Sequence, residues 1–436
     1  MLCNTIMFSV TMFDICIADI VLSVLHGLVE ESFKSLPSVK RHQESPFLQA
    51  NLTVAILLPS FVFNMSSPKK VFIVGGTGAQ GVPIVRDLAA DPQYSLTILT
   101  RDPDGARAQE LLALAPSRIE LIKGTFESEA DLRRGLKGCW GAFINVDGFM
   151  VGEKAETFWT MRIYELAVEC GLGAFVYGNL DYVYKKSGYK PDFRTGHEDG
   201  KGRVGEWILD QHRRNKDGLP GYDMKVSLFT TGPYLDMAIS AAGPMVPKIE
   251  KDGDGDDVLT WRVPLTIDGA IPHIALDDCG YYVKWLLEHP EQADGLDLEV
   301  AVEHTHYADL AKAFEKVTGH KARFIDTDWD TYWREGSLAN VKDESAGYHA
   351  SLDDPATMTI YQNFTGWWNM WRASGYNKGV IKRDYDLLDT IFPGRIRTAE
   401  DFLRRQDEEL RRTGSSLWER MLDNKAVLKL HIDGKR

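Results

Sequence analysis

The chain has 436 residues, 44% of them hydrophobic, with 50 basic against 63 acidic side chains and a formal net charge of −13. Such an acidic balance repels phosphate backbones, so a nucleic-acid partner held by bulk charge is not expected. Single cores stop growing near roughly 250 to 300 residues, which implies one large domain and a smaller appended region.

The five cysteines (Cys3, Cys16, Cys139, Cys170, Cys279) are far apart, and no pair has Cys-x-x-Cys spacing. That pattern points to a reducing, cytoplasmic setting with no disulfide frame and no zinc knuckle. Residues 1–64 differ in texture from the rest. The stretch from Ile6 to Val29 is largely apolar, but Asp14 and Asp19 interrupt it and no basic residue precedes it, which fits neither a membrane span nor a secretory signal. The run Val54 to Phe63 is too short to span. Met65-Ser66-Ser67-Pro68-Lys69-Lys70 reads as an ordinary start, so residues 1–64 are expected to be an extension outside the working protein. The alternative is a membrane-associating or targeting segment.

From Val71 short apolar runs alternate with amphipathic stretches, the pattern of strands and crossover helices in a parallel sheet. Strands are predicted at Val71–Gly75, Leu96–Thr100, Ile119–Lys123, Gly141–Val146, Ala174–Gly178 and Val226–Phe229. Helices are predicted at Ala79–Ala90, Gly105–Ala115, Glu129–Leu136 and Glu153–Cys170. Strands this continuously apolar are buried on both faces, so the fold class is α/β, a Rossmann-type doubly wound parallel sheet. Beyond it, Val258–Val263, Leu298–Val302 and Ala322–Ile325 read as strands, and Asp277–Glu288 and Tyr307–Val317 as helices. The last hundred residues read as mostly helical, with an aromatic cluster at Trp367, Trp368 and Trp371. The expected division is 65–245 for the Rossmann domain, 246–345 for a smaller α+β substrate region and 346–436 for a helical C-terminal part.

One acidic stretch, Asp252-Gly253-Asp254-Gly255-Asp256-Asp257, mimics a calcium loop. Its sixth position is Asp257 where glycine is needed and its twelfth is Val263 where a bidentate Glu belongs, so it reads as a solvated turn and no metal is expected.

The most specific signal is Gly75-Gly76-Thr77-Gly78-Ala79-Gln80-Gly81, between a predicted strand and a predicted helix. In that context glycines permit the turn and the close approach of a pyrophosphate, and the helix N-terminus offers unpaired N–H groups. Gly75, Thr77, Gly78, Ala79, Gln80 and Gly81 are therefore the candidate dinucleotide contacts. About 20 residues on, where NAD enzymes place an acid on the ribose hydroxyls, stands Thr100-Arg101-Asp102. The fork of Arg101 suits a 2′-phosphate and favours NADP(H), with Arg107 as a second contact, while Asp102 leaves NAD(H) open.

At these residues the chain resembles the NmrA-like family of atypical short-chain dehydrogenases, which includes redox-sensing regulators and isoflavone-reductase-like enzymes. The likeness rests on the glycine loop, on Thr100-Arg101-Asp102-Pro103 and on His197-Glu198-Asp199-Gly200-Lys201-Gly202-Arg203-Val204, and it extends through Ile274–Gly280 and Phe314–Gly319. The resemblance implies that Lys201 is the family's catalytic-type lysine, holding the nicotinamide ribose. The spacing His197-x-x-x-Lys201 replaces the Tyr-x-x-x-Lys of typical members and would share one helix face.

Two departures bear on activity. The fifth strand ends Tyr177-Gly178-Asn179, where an active dehydrogenase supplies a serine, and the third strand leads into Gly124-Thr125-Phe126-Glu127, where many relatives have an Asp that reads the adenine amine. Two functions follow as expectations. In the first, NADPH reduces a small organic substrate, with His197, at its free pKa of about 6.5, or Tyr182 as proton donor, and with Phe149, Tyr234 and the C-terminal tryptophans lining the pocket. In the second, the protein is a non-catalytic redox sensor of NADP(H) acting on a protein partner.

Overall fold

The protein is described here by a computed structural model covering residues 67–423. The expectations about residues 1–64 lie outside the described residues. Among the described residues no helix is long and apolar enough to cross a membrane.

Strand β1 (Lys69–Val74) buries Val71, Phe72, Ile73 and Val74 on both faces and so takes the centre of the sheet. It is followed by α1 (Gly81–Ala90), β2 (Tyr94–Thr100), α2 (Ala106–Leu114), β3 (Ile119–Lys123), α3 (Glu129–Leu136), β4 (Gly141–Ile144), α4 (Gly148–Glu169), β5 (Ala174–Leu180), α5 (Gly196–Gly218) and β6 (Lys225–Thr231). With β10 (Asp297–Glu299) these strands form one parallel sheet in the order β10-β6-β5-β4-β1-β2-β3. The order reverses between β1 and β4, the switch point at which doubly wound sheets open a crevice for ligands. Apolar side chains of α1, α2 and the later helix α6 (Cys279–Glu288) pack on one face, and those of α3, α4 and α5 on the other.

The predicted strand 298–302 divides. The N–H of Val300 still bonds Thr230 of β6, but that of Val302 bonds His273, and the chain changes sheets between them. It continues as β11 (Glu303–Thr305), antiparallel to β9 (Ile271–His273). A third sheet joins β7 (Lys248–Lys251), β8 (Asp257–Val263) and β12 (Ala322–Asp326). The acidic stretch is the β7–β8 turn: Asp252 accepts from the N–H groups of Asp254 and Asp256, and Lys321 pairs with Asp252 at 2.6 Å and Asp256 at 2.7 Å.

Helices α7 (Tyr307–Thr318), α8 (Trp329–Glu335), α9 (Ile360–Arg372), α10 (Tyr385–Ile391), α11 (Ala399–Arg412) and α12 (Leu417–Asp423) follow among the described residues. Their core corrects one expectation. Trp367, Trp368 and Trp371 are 2%, 0% and 0% exposed, packed with Trp261, Phe314 and Phe402, so they fill an interior and line no pocket. A ring at every third or fourth position of a helix is what core packing requires.

Candidate functional site

The carboxyl ends of β1 and β4 meet at the switch point. Gly75 follows β1 with a φ of +84°, and a methyl built on it would lie 2.5 Å from the Asn145 carbonyl oxygen that follows β4. Only glycine suits both constraints. A methyl on Gly81 would lie 2.1 Å from the Gly75 oxygen, so Gly81 serves the packing of helix against loop. Gly78 differs. Its methyl would meet only the Gly75 oxygen, at 3.1 Å, and the backbone there is open to an approaching group. The three glycines thus divide into turn, approach and packing roles as a pyrophosphate cradle demands, with the unpaired N–H groups of α1 at its head. The loop fits the diphosphate of a dinucleotide.

Gln80 is buried and extends from the loop toward β4 and β6. Its Oε1 accepts from Asn145 Nδ2 at 2.7 Å, and its Nε2 donates to Thr231 Oγ1 at 3.3 Å. Asn145 in turn accepts on Oδ1 from Lys201 Nζ at 3.0 Å. Lys201 reaches this point from α5, donating also to the Val146 carbonyl at 2.8 Å, and lies 3.0 Å from Glu156 Oε1 on α4. The lysine predicted from the family pattern is therefore joined to the predicted glycine loop through Asn145. Sequence reasoning missed Asn145 and Glu156, because each is a single polar residue whose partners lie on other elements.

His197 and Lys201 do share α5, which spans Gly196–Gly218, but their surroundings differ. The His197 ring sits 4.8 Å from Phe149 and 5.6 Å from Phe364 between ring centroids, and Asn363 Nδ2 lies 2.8 Å from its Nδ1. Asn363 Oδ1 lies 3.2 Å from the same ring nitrogen, so both ends of the amide face Nδ1. Burial, partly opposed by Asn363 and assisted by the charge of Lys201, lowers the His197 pKa to about 4. The value near 6.5 expected from the sequence does not hold, and at neutral pH the imidazole is uncharged. Of the aromatic residues expected at the pocket, Phe149 stands beside His197, while Tyr234 packs against the sheet core.

Tyr182 lies just after β5, its backbone pressed on α5 where a methyl on Gly202 would come within 2.4 Å. Its hydroxyl accepts from Arg203 Nε at 3.4 Å, two residues beyond Lys201 and more than half a turn round the helix. Arg203 also pairs with Glu153 at 3.0 Å, and Arg194 pairs with Glu153 at 2.5 Å and Asp199 at 2.8 Å. The structure thus ties Tyr182 to an ion-pair cluster rather than to Lys201. Asn179, at the expected serine position, donates to Thr230 Oγ1 at 2.8 Å.

Arg101 is exposed at the end of β2, its guanidinium touching the Met150 sulfur at the start of α4. Asp102 turns back over Gly105, the residue capping α2. An acid does stand at the end of β3: Asp131 accepts from the Thr125 N–H at 3.1 Å and occupies the space over Gly124. That backbone bond, then Arg134, holds the Asp131 carboxyl below its usual range.

Behind the site lies a wholly buried ion pair. Asp181, just after β5, contacts Arg383 at 2.6 Å and Lys186 at 2.6 Å, and both Asp181 and Arg383 have fully buried side chains. Burial pushes the Asp181 carboxyl up, but the two cations together hold it at about 2.

The profile of the NmrA-like family matches residues 67–334. An NmrA-like family domain-containing oxidoreductase, ptmS, of Penicillium ochrochloron is 27% identical over 271 residues, which is 59% of this chain and 75% of the relative. The crystal structure of NmrA, a negative transcriptional regulator, in complex with NADP aligns with a TM-score of 0.56 at 16% identity, covering 81% of this chain and 100% of that one. The triphenylmethane reductase of Citrobacter sp., complexed with NADP(H), aligns with a TM-score of 0.54 at 12% identity, covering 77% and 99%. At such identities the solved structures establish a shared fold.

Proposed function

The chain belongs to the NmrA-like family, and from that premise we propose that it binds NADP(H) at the switch point and exchanges hydride with a small organic carbonyl, enone or imine. The observation that carries this reading is the chain of bonds from Gln80 through Asn145 to Lys201, which fixes an amine at a set distance from the glycine loop. A dinucleotide whose diphosphate lies over Gly78 needs such a donor for its distal ribose. Arg101 and Arg107, at the end of β2 and the start of α2, suit a 2′-phosphate, and Asp131 suits an amino group on the adenine. The bound cofactor supplies or accepts the hydride. Lys201 positions the ribose through its hydroxyls. His197, its pKa lowered to about 4 by burial, is uncharged and does not titrate in the neutral range. Tyr182 remains a proton donor only for a substrate that reaches it beside Arg203.

Titration of the full-length chain with NADPH and NADH, followed by the loss of nicotinamide absorbance with a panel of enones, imines and quinones, tests the reading. The expected result is tighter binding of NADPH and oxidation by at least one panel member. Failure of both cofactors to bind would overturn it.

A second reading is favoured by one observation: Asn179 and the neutral His197 occupy the positions of the dehydrogenase serine and tyrosine. On this reading the protein senses NADP(H) and contacts a protein partner in one redox state. That requires a ligand with different affinity for two conformations. Tight binding without turnover, together with a partner retained in only one redox state, would select it.

A further inference from the structure

Among the described residues the buried carboxylate in contact with Lys201 is Glu156, and nothing in the family pattern called attention to it. Its side chain is 0% exposed. Oε1 lies 3.0 Å from Lys201 Nζ, an ion-pair distance without the alignment of a hydrogen bond, and among the described residues no other donor bonds either oxygen. An isolated carboxylate in such a place costs several kcal/mol, so its persistence calls for a partner that uses it.

The surrounding backbone is shaped to admit the carboxylate. A methyl on Gly148, at the head of α4, would lie 2.2 Å from Oε2, and one on Gly200, a residue before Lys201, would lie 3.4 Å from it. Helix α4 carries a break at Gly152, where φ is +79°, and Glu156 follows one turn later. Two glycines and a break therefore bring one carboxyl under one amine. Four acceptors face the Lys201 amine: Asn145 Oδ1, the Val146 carbonyl, the Gly178 carbonyl at 3.4 Å and Glu156. Of these only Glu156 is able to change its charge.

We propose that Glu156 is the positioning residue of Lys201, holding the amine at the switch point and setting, by its own protonation, how strongly the amine is drawn away from the cofactor ribose. The inference rests on the functional reading above and assigns this site its control. Burial raises the Glu156 carboxyl above its usual range, with Lys201 opposing. The other groups around it are Asp147 and Glu153 on its own helix and the Tyr177 ring of β5. Both acids disfavour its charge. In its neutral form it leaves Lys201 freer to donate to a ribose hydroxyl, and in its charged form it retains the amine. Cofactor affinity should then fall as pH rises through the Glu156 transition.

Two variants of the full-length chain separate the effects. Glu156→Gln keeps the shape and an acceptor for Lys201 but cannot ionise, and Glu156→Leu removes both. Without cofactor, the thermal midpoint of Glu156→Gln is expected to gain on the unsubstituted chain as pH rises from about 4.5, because ionisation opposes folding wherever the folded pKa is raised. With cofactor, Glu156→Leu is expected to weaken NADPH binding by about tenfold or more, while Glu156→Gln retains it and loses its pH dependence. Midpoints that stay parallel across pH, or a Leu variant that binds NADPH like the unsubstituted chain, would overturn the proposal. If the unsubstituted chain bound neither NADPH nor NADH, the functional reading would fall. The midpoint series would still decide whether burial makes Glu156 the switchable group of the site, a widening gap supporting that role and parallel curves overturning it.

Discussion

Asn145 and Lys201 meet at 3.0 Å, and the same Asn145 amide bonds Gln80 at 2.7 Å from its other end. One side chain therefore fixes both the cofactor loop and the amine predicted to serve it. Replacing Asn145 by Leu should leave the buried Gln80 Oε1 unpaired and take one acceptor from Lys201, costing about 1 to 3 kcal/mol of stability. It should also weaken NADPH binding by about tenfold or more, because the amine loses its register with the loop. Calorimetric titration alongside chemical denaturation separates the two losses; unchanged affinity in a folded Asn145→Leu variant would show that the link is not used.

The glycine loop offers a sharper division. Gly78→Ala should fold nearly normally, since its methyl meets only the Gly75 oxygen at 3.1 Å, yet bind NADPH less well, because the methyl occupies the approach to the diphosphate. Gly81→Ala, whose methyl would lie 2.1 Å from the same oxygen, should lose about 2 to 3 kcal/mol of stability from overpacking. Thermal midpoints and NADPH affinities measured on both variants would show the opposite ordering if Gly78 served packing and Gly81 the ligand.

On the proposed function, cofactor choice rests on Arg101. Arg101→Gln should lower NADPH affinity by about tenfold, the worth of one charge-assisted contact to a 2′-phosphate, and leave NADH affinity within about twofold. An equal loss for both cofactors would place Arg101 away from the ribose.

The pH dependence has a definite sign. His197 is held at about 4 in the folded chain against about 6.5 in the unfolded one. Between those values the unfolded state binds more protons, so stability falls as pH is lowered from about 6.5 to about 4, by on the order of 3 kcal/mol from this residue. His273 and His304 are depressed to a similar value and add to the slope. Denaturation of His197→Gln at several pH values should show a shallower fall than the unsubstituted chain; identical slopes would mean that His197 titrates freely.

The Asp181–Arg383 pair joins the end of β5 to the segment before α10, and both side chains are fully buried. Arg383→Met leaves Asp181 with Lys186 alone and should cost about 3 kcal/mol. A loss below about 1 kcal/mol in urea denaturation would mean that Lys186 alone satisfies the carboxylate.

Much of the nucleotide-binding half was legible because it is written locally. Each of β1 to β6 is a short apolar run, and the glycine loop falls between a strand and a helix. Helix α5 was not legible as an element. It carries Gly196, Gly200, Gly202 and Gly205, residues that ordinarily weaken helices, and their use becomes visible only where Glu153, Tyr182 and Asn179 crowd them. The same holds for the site. Lys201 and the loop were marked by pattern, but Asn145 and Glu156 acquire their roles only when β4, α4 and α5 converge. His197 was given its solution pKa because the rings of Phe149 and Phe364, 48 residues before it and 167 after it, are not sequence neighbours. The tryptophans misled for a different reason: aromatic residues at helical spacing serve a core and a pocket equally well, and here Trp368 and Trp371 are wholly enclosed.

The central claim, that Lys201 serves a dinucleotide seated on the glycine loop, is tested most directly by titrating the full-length chain with NADPH and repeating the titration with Lys201→Met. One saturable site, weakened by about tenfold or more in the variant, is the expected result. Saturable binding that Lys201→Met leaves untouched, or no binding by either chain, would contradict it.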